Sequence, residues 1–128
     1  MNSLNIVLKP QDNVSAFIND ITGGIEVVFS GVIQDKNPSL YLSSFFNDIH
    51  AKALEKSLKY IELNMTGLTF LNSSGIRCFI QWVTQIPKTP NEKKYYLNIK
   101  ISKNLQWQEN SFNLFKSIDP HFISIEKI

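Results

Sequence analysis

The stretch from Tyr60 to Ile76 joins a strand to a helix with only a few polar residues between them. Ile61, Leu63 and Met65 alternate along a strand expected over Leu58 to Met65. A polar elbow, Asn72-Ser73-Ser74-Gly75, follows and leads into Ile76, Phe79, Ile80 and Val83. Their spacing of three and four predicts a helix that ends by Pro87. Two hydroxyls thus sit where the chain turns from strand to helix, at the positive end of a helix dipole.

The flanking sequence repeats this alternation of periods. Leu4 to Leu8 is a short apolar stretch closed by Lys9-Pro10. Val14 to Ile21 and Ile25 to Phe29, joined through Gly23-Gly24, read as a hairpin. Asn37-Pro38 offers a cap acceptor and a proline for the first helical position. From there Leu42, Phe46, Ile49, Ala53 and Leu54 mark an amphipathic helix to about Ser57. Beyond the polar loop Pro87 to Glu92, Tyr95, Leu97, Ile99 and Ile101 alternate as a strand. Trp107, Phe112, Leu114 and Phe115 suit a third helix capped near Asn104, and Phe122, Ile123 and Ile125 make a last strand. Strands alternating with helices imply right-handed crossovers. The expectation is one α/β domain over residues 1–128, with at least part of the sheet parallel.

Composition narrows the function classes. With 43% hydrophobic and 19% charged residues, the chain has an ordinary globular profile. A formal net charge of +2, without a basic stripe interleaved with aromatics, does not point to nucleic acid. Trp82, Trp107, Tyr95 and Tyr96 fall within periodic elements, so packing is their expected role. The single cysteine, Cys78, excludes an internal disulfide framework and reads as a small buried hydrophobe. No secretory signal pattern opens the chain, and no apolar run approaches the roughly 18 residues of a membrane span. A cytoplasmic protein without membrane insertion is expected. Low arginine with abundant asparagine and lysine fits an AT-rich bacterial genome.

Catalytic chemistry is hard to assemble. His50 and His121 stand apart, with no cysteine or carboxylate at metal-like spacing, so no metal is expected. The five glycines form neither a phosphate loop nor a dinucleotide pattern, and no cofactor is expected. A hydrolase built on Ser73 or Ser74 needs a base that the sequence does not place beside them. No catalytic residue is assigned, and an enzyme is the minority reading.

The elbow itself admits two uses. Asn, Ser and Gly are common turn and cap residues, so the segment can be punctuation alone. Alternatively, a phosphate on Ser73 (or, as second choice, Ser74) adds about −1.5 to −2 charge where a helix N-terminus favours an anion. Arg77, the only arginine, lies four residues after Ser73 and three after Ser74, on the same helical face. It can pair with that phosphate or with an acidic group of a partner.

The run from Ile61 to Ile76 resembles the signature of STAS domains, the anti-sigma-factor antagonist family, in which a strand enters an Asp-Ser-Ser-Gly elbow followed by an apolar helix. Phe29-Ser30-Gly31-Val32-Ile33 is similar to the family's strand before the first helix, and Leu114-Phe115-Lys116-Ser117-Ile118 to its late short helix. The resemblance implies a single α/β domain with a four- to five-stranded mixed sheet flanked by helices, a binding module that docks on a serine kinase also holding a sigma factor. It implies phosphorylation of Ser73 by that kinase and resetting by a serine phosphatase. Asn72, Ser74, Gly75, Arg77 and Gln34 are the implied partner-binding positions. Three of them depart from the family pattern: Asn72 replaces an aspartate, Gln34 stands near another acidic position, and Arg77 takes the place of a small residue. A constitutive interaction module of the same fold, unphosphorylated, is the alternative.

Overall fold

The computed structural model describes residues 2–128. Five strands form one sheet in the order β1 (Val14–Ile21), β2 (Gly24–Ile33), β3 (Tyr60–Leu71), β4 (Tyr96–Ile101) and β5 (Ile123–Lys127). β1 and β2 are an antiparallel hairpin, and every later neighbour is parallel. Helices α1 (Ser39–Glu55), α2 (Ser73–Val83) and α3 (Gln106–Phe112) make the crossovers, α3 running on into a 3₁₀ turn, Asn113–Ser117. This is the expected mixed α/β sheet, with five strands.

Alternation along the strands decides which face is covered. Ile25, Val27 and Phe29 of β2, Ile61, Leu63 and Met65 of β3, and Leu97, Ile99 and Ile101 of β4 are all fully buried. Glu26, Glu62, Asn98 and Lys100, between them in sequence, face the other way and stay partly exposed. Successive right-handed crossovers in one direction put all the helices on the apolar face. There Phe46 stacks on Trp82 at 4.8 Å and tilts against Phe79, while Phe29 meets Phe45, Phe46 and Phe79. Such pairs add about 0.5–1.5 kcal/mol each beyond their buried area. Leu4, Ile6 and Leu8 close the same core, so the opening apolar stretch is a covering strap and not a strand.

β3 is longer than its alternation suggests. The strand expected to stop at Met65 continues to Leu71, beside β2. Two register shifts, at Val28/Ser30 and Gly31/Val32, move its buried positions from every second residue to Leu68 and Leu71. Gly31 makes this possible: its φ of 102° suits glycine, and a Cβ there would strike the Asn13 carbonyl. On its other side β3 pairs with β4 only through Tyr60 to Asn64. Beyond that point Gln108, fully buried, stands in for a strand. Its Nε2 donates to the carbonyls of Met65 (2.6 Å) and Leu68 (2.8 Å), and its Oε1 accepts from Ser102 N–H at 2.7 Å.

Two expected caps differ from what forms. Asn37 supplies its backbone carbonyl, not its side chain, to Leu40 N–H, and Pro38 occupies the N-cap position of α1. The third helix caps at Leu105, while Asn104 N–H is taken by Ser102 Oγ. Behind the helices, His50 Nδ1 lies 2.8 Å from Tyr95 Oη, which also accepts from Trp82 Nε1 at 3.0 Å. Lys94 and Asp119 pair at 2.8 Å with both side chains nearly buried. Among the described residues, no helix is long and apolar enough to cross a membrane.

Candidate functional site

The elbow is one residue of cap between β3 and α2. Asn72 has extended backbone angles, and its Oδ1 accepts from Gly75 N–H at 2.8 Å, a normal N-cap bond. Its Nδ2 donates to the Asp35 carbonyl at 2.7 Å, and its own N–H bonds to the Ile33 carbonyl at 3.0 Å. One side chain therefore caps α2 and clamps the loop that leads from β2 into α1. A carboxylate could do only the first. The side-chain donor is what asparagine provides and the family's aspartate lacks.

Gly75 is buried because α2 leaves the sheet at close range. A Cβ there would strike the end of Leu71 and lie 3.1 Å from Ile33 Cγ2. This close packing fixes the orientation of the first turn. Ser73, the first residue of α2, is left exposed, as is Arg77 one turn later, while Ser74 is half-buried. Gln34 is exposed immediately beyond β2, in the loop that Asn72 clamps.

Because β2 and β3 are parallel, α1 and α2 both begin at the same edge of the sheet, side by side. Between their first turns lies a groove of about 250 Å³, lined by Lys36, Ser39, Ser74, Arg77 and Gln81, with Cys78 in its wall. Burial pushes the Cys78 thiol up, with smaller opposing effects from Ser43 and Arg77. The structure thus brings Ser74 and Arg77 together. Neither Gln34 nor Ser73 lines the groove. Lys36 and Ser39 were not anticipated as site residues. The signal was topological: a parallel crossover must bring the starts of consecutive helices together.

On the other side of the Asp35 loop, Tyr41 has its hydroxyl buried without a hydrogen-bond partner. Its pKa is pushed up to about 12, first by burial and then by the Asp35 carboxylate. Elsewhere, neither histidine makes a hydrogen bond to Ser73 or Ser74, and His50 is engaged by Tyr95 in the core. Among the described residues, no three metal-binding side chains gather.

Comparison with family models gives no match, and comparison with curated proteins gives none. Among solved structures, the chain is similar to the crystal structure of an anti-sigma factor antagonist from Mycobacterium paratuberculosis. The two share 17% identity and a TM-score of 0.55, over 91% of this chain and 90% of that one. The fold is therefore the STAS-type fold of an anti-sigma factor antagonist, as the elbow signature implied.

Proposed function

We propose that this protein is a non-enzymatic regulatory module that presents the elbow and the first turns of α2 to a protein partner. Phosphorylation of Ser73 is its switch. The carrying observation is the placement of Ser73: exposed, first in α2, directly after the capping Asn72, on the fold of an anti-sigma factor antagonist. A phosphate there meets free N–H groups and a favourable dipole, so it costs the fold little. At a packed interface the same charge is disruptive through desolvation and repulsion. By likeness to the antagonists, the partner is a serine kinase of the anti-sigma ATPase type, acting in the cytoplasm and opposed by a serine phosphatase.

Phosphoprotein mass spectrometry of the protein from its native cells, with binding of the captured partner to Ser73→Ala and Ser73→Asp, tests this. The expected result is a phosphate on Ser73 and binding lost only in Ser73→Asp. Modification confined to other residues, with equal binding by both variants, would leave a constitutive interaction module instead.

A further inference from the structure

The groove beside the elbow is basic, and among the described residues its basic groups have no ion-pair partner. Among the described residues, Arg77 and Lys36 form no ion pair; the lysines that do are Lys52, Lys94, Lys100 and Lys127. No carboxylate lines the groove. Neither α1 nor α2 carries an acidic residue in its first turn, so two helix dipoles add uncompensated positive potential to that of the side chains. Asp35, the acid next to Lys36 in the loop, does not line this groove; it lines a neighbouring cavity with Lys9 and Tyr41. Ser39 and Ser74 line the same groove and carry hydroxyl donors.

From this geometry we infer that the groove between α1 and α2 receives a carboxylate side chain from an acidic segment of the partner protein, held by Arg77 and Lys36. The inference rests on the reading of the elbow as a docking surface and specifies the partner's chemistry. An acidic segment fits the groove's charge, and a volume of about 250 Å³ admits a side chain. It also gives the switch a local mechanism. Ser73 and Arg77 lie one helical turn apart, so a phosphate on Ser73 pairs with Arg77 and takes the charge the partner's carboxylate needs. Phosphorylation then competes for the cation as well as repelling the acid.

The test is titration of the ¹⁵N-labelled, unphosphorylated full chain with a capped hexaglutamate peptide, followed by amide shifts. Hexalysine and an eight-residue oligothymidylate serve as controls. Shifts should concentrate at Lys36, Ser39, Ser74, Arg77 and Gln81. Affinity should fall roughly 5–10-fold in Arg77→Gln, further when Lys36→Gln is added, and with rising salt. Both side chains are exposed and unpaired, so these variants keep the fold. Lys116→Gln, an exposed lysine elsewhere, makes the same charge change and should leave affinity within about twofold. An equal loss in Lys116→Gln, shifts scattered over other lysines, or tighter oligothymidylate binding in the same groove would overturn the assignment. None of these outcomes bears on whether Ser73 is phosphorylated, and absence of that phosphate leaves the hexaglutamate result standing.

Discussion

Asn72 donates from its side-chain amide to the Asp35 carbonyl at 2.7 Å, and this bond joins the start of α2 to the loop that launches α1. The groove walls are thereby held in register by one residue, which Ser73 immediately follows. Asn72→Ala removes both the cap and the clamp and is expected to cost about 1–2 kcal/mol. Asn72→Asp keeps the cap and loses only the donor, so it should cost less, about 0.5–1.5 kcal/mol at this exposed bond. Urea unfolding of the two variants beside the native chain checks the order; equal losses would mean that the cap contributes nothing, and no loss in Asn72→Asp that the clamp contributes nothing.

Ser73→Asp should leave the fold intact or stabilise it. The hydroxyl of Ser73 is not the cap, and an acid in the first turn of a helix gains about 0.3–1 kcal/mol. Thermal unfolding should give a melting temperature at or above that of the native chain. A clear fall would show that Ser73 has a structural role at the elbow, and partner-binding losses in this variant would then need reinterpretation.

Gln108→Leu keeps the volume and abandons three hydrogen bonds. The Met65 and Leu68 carbonyls and the Ser102 N–H are left buried without partners, each such loss costing about 1–3 kcal/mol. The expected destabilisation is at least about 3 kcal/mol by chemical denaturation. A loss below about 1 kcal/mol would mean that water enters and replaces the side chain.

Acid should weaken the fold through His50. Burial lowers its pKa from 6.5, and Tyr95, whose own pKa is raised by burial, donates its hydroxyl to the neutral ring. The unfolded chain then takes up a proton at a higher pH than the folded one. Stability is full above pH 6.5 and falls as pH drops from there through the folded value, by at most about 1.4 kcal/mol per pH unit. His50→Phe should flatten this slope below about pH 6.5. The carboxyls of Asp20, lowered by Ser3, and Glu109, lowered by Lys127, act only further down.

The order of strands and helices could be read from the sequence because most buried positions follow a single period. Leu97, Ile99 and Ile101 alternate without interruption, and each is fully buried. The far half of β3 could not be read that way. Its bulged register spaces Met65, Leu68 and Leu71 three apart, and Thr66, Gly67 and Thr69 between them imitate a loop. Ser73, Ser74 and Arg77 could be singled out because the two serines lie in one continuous motif, Tyr60 to Ile76, and Arg77 directly follows it. Lys36 and Gln108 were not, since each acquires its role from a neighbour about forty residues away, across a crossover. Local pattern carries no record of such pairs.

The strands succeed one another across the sheet in chain order, β1 to β5, without a reversal. Open α/β sheets grip their ligands where that order reverses and two helices part to opposite faces. A sheet wound in one direction never opens such a cleft. What this molecule offers between the starts of α1 and α2 is therefore a groove between two helices on the same face, not a crevice between helices on opposite faces.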